Sequence, residues 1–167
     1  MAFSGIAFAL AAELVLRSAA FADHAAIPAR FTCEGDDVSP PLDWSAPPPG
    51  TKSLALVVDD PDAPDPARPK RVWVHWVVYD LPPEAGALIQ GAPLPKGARA
   101  GKSDFGVERW RGPCPPIGRH RYFFKLYALD VALGDRGAVT KAELEKLIDG
   151  HVLAHTELVG TYERERR

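Results

Sequence analysis

The sequence lacks a membrane span. Apart from residues 2–12, which are small and mostly apolar, no segment approaches the roughly 20 apolar residues that a helix needs to cross a bilayer. It also lacks charge of one sign. Its 20 basic and 22 acidic side chains leave a formal net charge of −2, so there is no broad basic field to hold a nucleic-acid backbone. Cysteine is scarce: Cys33 and Cys114 are the only two. Their separation excludes the C-x-x-C spacing of a zinc ribbon or a thioredoxin-type motif. There is no internal repeat and no G-x-S-x-G elbow of a serine hydrolase. No Lys or Arg precedes the apolar residues 2–12, and Glu13 and Arg17 soon interrupt them, so a secretory signal is poorly formed although Ala20-Phe21-Ala22 looks like a cleavage site. A cytoplasmic protein with two reduced thiols is the expectation. An exported form and a disulfide are the alternatives.

Proline and turn signals are abundant instead. The 17 prolines and 14 glycines occur in short, aperiodic clusters, which argues for many turns and few long helices rather than collagen or a low-complexity tail. A length of 167 residues suits one domain with a real core. Ile27 to Cys33 reads as a short strand entering the polar turn Glu34-Gly35-Asp36-Asp37. Pro47-Pro48-Pro49-Gly50 is edge or loop, since prolines cannot donate to a central ladder. Ser53 to Val58 (SLALVV) reads as a buried strand. Arg71 to Leu81 (RVWVHWVVYDL) is a second, with Trp73, His75, Val77 and Tyr79 on one face and Val74, Trp76 and Val78 on the other. Arg119 to Asp130 (RHRYFFKLYALD) is a third, with His120, Tyr122 and Phe124 sharing a face. Thr140 and Glu143 form a capping box ahead of the stripe Leu144, Leu147, Ile148, and Gly150 stops that helix. Ala154 to Tyr162 closes the chain as a strand.

Three loci join polar groups to rigid backbone where strands end. In Asp59-Asp60-Pro61-Asp62-Ala63-Pro64-Asp65-Pro66, prolines fix a turn in which the aspartates would ordinarily cap nearby amides. His75 lies among apolar residues, where a satisfied core histidine and a pocket wall are both reasonable. From Arg111 to Tyr122, Gly112 and Gly118 would let backbone amides approach a ligand. His120 and Tyr122 then place two potential donors on one strand face.

The order D-P-D-A-P, W-V-H-W and G-P-C-P-P-x-G-x-H-R-Y resembles the phosphatidylethanolamine-binding protein (PEBP) family, in particular its bacterial Raf-kinase-inhibitor-like (YbhB/YbcL) branch. The resemblance runs from about Ala19 to Tyr162 and takes in Asp37-Val38-Ser39-Pro40-Pro41-Leu42-Asp43-Trp44. It implies a mainly β fold, an antiparallel β-sandwich with one short α-helix in the C-terminal half. Residues 1–18 would be an N-terminal extension or first strand, 19–163 the domain, and 164–167 a frayed tail. It also implies a small-anion pocket with Asp60, His75 and His120 at its heart, Trp73 and Tyr122 on its wall, Pro64 at its entrance and Gly112 in the ligand loop. No cofactor and no catalytic motif are implied. The eukaryotic members carry a longer C-terminus with a helix beside the pocket. Without a counterpart to it, a phosphate-bearing small molecule is the expected ligand rather than a lipid.

Two imidazoles beside a carboxylate would be held partly protonated, so phosphate affinity should fall as pH rises through the histidine range. The competing class is a metal-dependent enzyme in which His75, His120 and Asp60 form a facial triad for iron or zinc. A third reading is an inhibitor of a kinase or protease. The family's bacterial members suggest a homodimer, with Ala87 to Pro95 as the candidate contact.

Overall fold

The computed structural model describes residues 13–165. The expectations for residues 1–12 and for the last two residues of the tail lie outside it. Two antiparallel sheets form. Strands β1 (Leu16–Arg17), β2 (Leu42–Trp44) and β5 (Ala87–Leu88) make a small sheet in the order β1-β2-β5. Strands β3 (Ser53–Asp60), β4 (Trp73–Leu81), β6 (Arg99–Ala100), β7 (His120–Leu129) and β8 (Val152–Tyr162) make a larger one in the order β6-β4-β3-β7-β8. The fold is therefore the expected mainly β sandwich with a single α-helix, α1 (Lys141–Ile148), among the described residues.

Strand β3 is buried along its whole length and is hydrogen-bonded on both sides, to β4 and β7. Its alternation therefore feeds two apolar layers. Leu54, Leu56 and Val58 join Leu16, Leu42, Trp44, Trp76, Phe124 and Leu126 in the main core between the sheets. Ala55 and Val57 face the other way, toward Val77, Tyr79, Leu144 and Ile148 under the helix. The capping box is formed as expected: the Glu143 N–H donates to Thr140 Oγ1 at 3.3 Å and the Thr140 N–H to Glu143 Oε2 at 2.8 Å. The adjacent carboxylates Asp59 and Asp60 end β3 on opposite faces. Asp59 accepts from Lys125 Nζ at 2.9 Å and from Lys141 Nζ at 2.7 Å, pinning the start of α1 to the sheet. Asp60 faces the other layer.

Two expectations, the first strand and the free thiols, are corrected. Ile27 to Cys33 is not a strand. A 3₁₀ turn occupies Ala29–Phe31, closed by the Thr32 N–H on the Ala29 carbonyl, and Pro28 at its head has no N–H for a ladder. Within Ala20-Phe21-Ala22, Phe21 belongs to the core: it is buried and its ring lies 5.6 Å from that of Phe124. Cys33 and Cys114 are not reduced thiols but a disulfide. A sequence separation of 81 residues said nothing about their distance, and the fold brings their two loops together. Disulfides belong to oxidising compartments, so the argument from cysteine usage to a cytoplasmic location lapses. No helix among the described residues is long and apolar enough to cross a membrane. In the segment expected to make a dimer contact, Leu88 is taken into the core while Ile89 is 75% exposed.

Candidate functional site

Asp60 is the last residue of β3, Trp73 the first of β4 and His120 the first of β7, so three neighbouring strands bring their motifs to one end of the sheet. Asp60 pairs with Trp73 across the ladder. His75 reaches the same place by an irregularity. Val58 pairs with Trp76 but the next residue, Asp59, pairs with Val74, so β4 carries one extra residue at His75. This β-bulge breaks the strict alternation expected for the strand. Val74 goes under the helix with Val77 and Tyr79, while the His75 ring turns to Tyr122, 5.2 Å away at 83°.

The result is a cavity of about 280 Å³ lined by Asp60, Pro64, Trp73, His75, His120 and Tyr122, together with Ala63, Phe105, Cys114, Pro115 and Pro116. Six of the seven residues singled out from sequence meet there. The seventh, Gly112, does not line the cavity, and its N–H is committed to Asp37 Oδ1 at 2.6 Å. It supports the loop from behind. A Cβ at this position would stand 2.0 Å from the Phe31 carbonyl oxygen, so only glycine lets the two backbones approach. Gly112→Ala is expected to lower stability by about 1–3 kcal/mol through overpacking, read as a shift in the urea midpoint at unchanged slope. An unchanged midpoint would show that the loop relaxes freely.

Hydrogen bonds fix each polar group. His120 is fully buried, with Nδ1 on Asp60 Oδ2 at 2.7 Å and Nε2 on the Ile117 carbonyl at 3.0 Å. Both ring nitrogens are therefore engaged within the protein. The other Asp60 oxygen accepts the Asp62 N–H at 2.8 Å. His75 gives Nδ1–H to the Arg111 carbonyl at 2.6 Å, which leaves Nε2 with a lone pair and no protein partner. Burial holds the His75 pKa below its ordinary 6.5, against the pull of the Arg111 carbonyl and of Asp60. The expectation of two partly protonated imidazoles therefore fails for His75, because desolvation of a charged ring there outweighs the carbonyl and the carboxylates that favour it. Tyr122 is 1% exposed, and its hydroxyl is the one buried side-chain polar atom of the cavity wall without a hydrogen bond among the described residues. Burial, with the charges of Asp60 and Asp62, drives its pKa far upward and keeps it a donor.

Aromatic rings and arginines form the rim. Trp73 and Phe105 meet edge to face at 5.3 Å. The Arg71 guanidinium lies 4.4 Å above Trp73 and that of Arg111 lies 5.4 Å above Phe105, both within cation–π reach. Phe105 and Pro115 were not foreseen, nor was Asp62. Asp62 grips Arg121 through Nε at 2.9 Å and through a terminal nitrogen at 2.7 Å, and Arg121 holds the Asp62 carboxyl below its usual range by those bonds. Asp62 stood inside the D-P-D-A-P motif and Arg121 inside H-R-Y, so that pair had a signal in the sequence. Phe105 had none. As metal ligands the three central residues are poorly placed: His120 and Asp60 have every nitrogen and oxygen engaged in hydrogen bonds. No group of three or more His, Cys, Asp or Glu among the described residues could hold a metal ion.

Known proteins share this fold and much of this sequence. The family model for phosphatidylethanolamine-binding protein matches residues 17–163. A UPF0098 protein of Methanothermobacter thermautotrophicus is 45% identical over 153 residues, spanning 89% of this chain and 98% of that relative. A crystal structure of a PEBP homologue from Chlamydia trachomatis superposes with a TM-score of 0.86 at 43% identity, covering 92% of this chain and 99% of that one. Escherichia coli YbcL, described as a member of the mammalian PEBP family, gives a TM-score of 0.81 at 32% identity, covering 92% and 100%.

Proposed function

The chain belongs to the phosphatidylethanolamine-binding protein family, and on that premise we propose that it binds a small phosphate-bearing anion in the cavity between His75, His120 and Tyr122. The observation that carries this reading is the Tyr122 hydroxyl. A buried hydroxyl without a partner costs about 1–3 kcal/mol, and native proteins keep such groups where a ligand or a function answers for them. Here the orphan donor shares the wall of one cavity with His75 Nε2, which also has no hydrogen bond among the described residues. The guanidinium groups of Arg71 and Arg111 stand at its rim, each paired with a carboxylate, Asp104 and Asp37. A volume of about 280 Å³ leaves room for a substituent against Trp73 and Phe105, so a phosphomonoester suits the site better than bare phosphate.

Tyr122→Phe tests the reading with two readouts of opposite sign. The free protein should gain about 1–2 kcal/mol in stability, since an unsatisfied hydroxyl is removed without a change of shape. Phosphate affinity by titration calorimetry should fall about tenfold or more, the worth of one hydrogen bond to an anion. A variant that loses stability and keeps full affinity would mean that the hydroxyl serves the fold and not a ligand.

A further inference from the structure

The histidines at the centre of the site are both oriented by one loop. Arg111 supplies the carbonyl that takes His75 Nδ1–H, and Ile117 supplies the carbonyl at His120 Nε2. Between them lie Pro113, Pro115 and Pro116, which have no N–H to give. Among the described residues, the stretch from Pro113 to Ile117 makes one backbone hydrogen bond to the rest of the chain, from the Cys33 N–H to the Pro113 carbonyl at 3.1 Å. Its other ties are the Ile117 carbonyl at His120 Nε2 and the Cys33–Cys114 disulfide. Cys114 is exposed to solvent and is itself part of the cavity wall, whereas Cys33 is half-buried.

We propose that the Cys33–Cys114 disulfide is a redox control on the site, and that its reduction releases the loop which positions His75 and His120. The proposal rests on the reading of the cavity as an anion site. The reductant is a small thiol of the glutathione class. Its thiolate attacks the exposed sulfur of Cys114, a mixed disulfide forms, the Cys33–Cys114 bond breaks, and Cys33 leaves as a thiolate that takes a proton. A second thiolate attacks the small-molecule sulfur of the mixed disulfide, and Cys114 leaves as a thiolate that takes a proton. Two electrons and two protons enter the protein, and the reductant leaves as its own disulfide. The severed loop keeps its anchors on the Arg111 side, where Asp37 holds both the Gly112 N–H and the Arg111 guanidinium. Beyond Pro113 it keeps only the Ile117 carbonyl at His120 Nε2 before the chain enters β7. His120 is therefore affected more than His75. By reciprocity, a bound anion must protect the disulfide against reduction by the factor through which reduction weakens binding.

The test compares the full chain oxidised, reduced by a water-soluble phosphine, and as the double variant Cys33→Ser/Cys114→Ser, each titrated calorimetrically with inorganic phosphate. Affinity is expected to fall about tenfold in both open forms, a change of about 1.4 kcal/mol. Equal affinity in all three overturns the proposal. Global unfolding on reduction, seen as loss of the far-ultraviolet β signal, overturns it too, because the disulfide would then staple the whole fold. Nitrogen NMR of the imidazoles separates this from failure of the anion reading. If the oxidised protein binds no phosphate, the anion reading falls by itself. The loop mechanism then survives only if reduction moves the His120 ring resonances, and unchanged resonances sink it.

Discussion

Asp60→Ala is expected to lower the stability of the protein by about 3–5 kcal/mol, the scale found when one partner of a buried ion pair is removed. For a domain of this size that corresponds to about 6–20 °C in Tm. The side chains of Asp60 and His120 are 5% and 1% exposed, so water cannot replace what the substitution takes away. Two donors lose their acceptor together, the His120 imidazole and the Asp62 N–H. The second loss spreads. Asp62 grips Arg121 at the start of β7, and the turn that holds Asp62 in place is the one closed by Asp60 Oδ1. Asp60→Asn should behave differently. Its carbonyl oxygen still accepts from Asp62, and its amide can donate to a neutral His120 whose remaining proton goes to Ile117. About 1 kcal/mol is the expected cost, that of a charged hydrogen bond exchanged for a neutral one. Phosphate binding should nevertheless suffer in Asp60→Asn, since the neutral amide sets the His120 ring in one tautomer, with its proton on Nε2. Thermal unfolding of both variants, with phosphate titrations of the asparagine form, separates the two roles. An alanine variant within 1 kcal/mol of the parent would mean that the pair is not what holds this end of the sheet.

The limits of sequence reading are instructive at the same residues. SLALVV, RVWVHWVVYDL and RHRYFFKLYALD declared themselves because β-branched and aromatic runs bounded by turn residues have few other uses. Thr140 and Glu143 marked the helix start for a local reason, since a capping box needs only its own four residues. The motifs at the ends of β3, β4 and β7 were legible in order, and ten of the residues they carry line one cavity. The face of His75 was not legible. Simple alternation put it with Val77 and Tyr79, and a bulge is a property of two strands in register, invisible in one strand alone. Gly112 was read as an amide for a ligand, whereas the nearest carbonyl belongs to Phe31, remote in sequence. The disulfide escaped for the same reason. Each of these features depends on a partner segment, and composition carries no information about which segments meet.

Anion affinity should rise as pH falls from about 8 to about 6, by up to tenfold per unit, and then level off near the second ionisation of a phosphate ester. The sign follows from the protons. Burial keeps the pKa of His75 below 6.5, so at neutral pH its Nε2 presents a lone pair. A fully ionised phosphate presents lone pairs as well, and the two repel until a proton lies between them. That proton comes either from His75 as it becomes imidazolium or from the ester as its monoanion. In both cases the complex holds one proton more than neutral His75 and the dianion held apart, so binding at pH 8 takes up a proton and acid favours it. Below the second ionisation of the ester the ligand arrives with the proton already on it, and the dependence ends. The free protein responds in the opposite direction. An unfolded chain protonates this histidine at its ordinary 6.5 while the folded chain resists to lower pH, so stability decreases as pH drops through 6.5 and below. Calorimetry in two buffers of different ionisation enthalpy counts the protons directly. Sulfate, which brings no proton at these pH values, should bind about tenfold more weakly than phosphate at pH 6. His75→Gln places a permanent amide donor near the position of Nε2 and should flatten the pH profile. Zero proton uptake at pH 8 in the parent protein, with phosphate bound, would show that the ring already carries its proton before the ligand arrives.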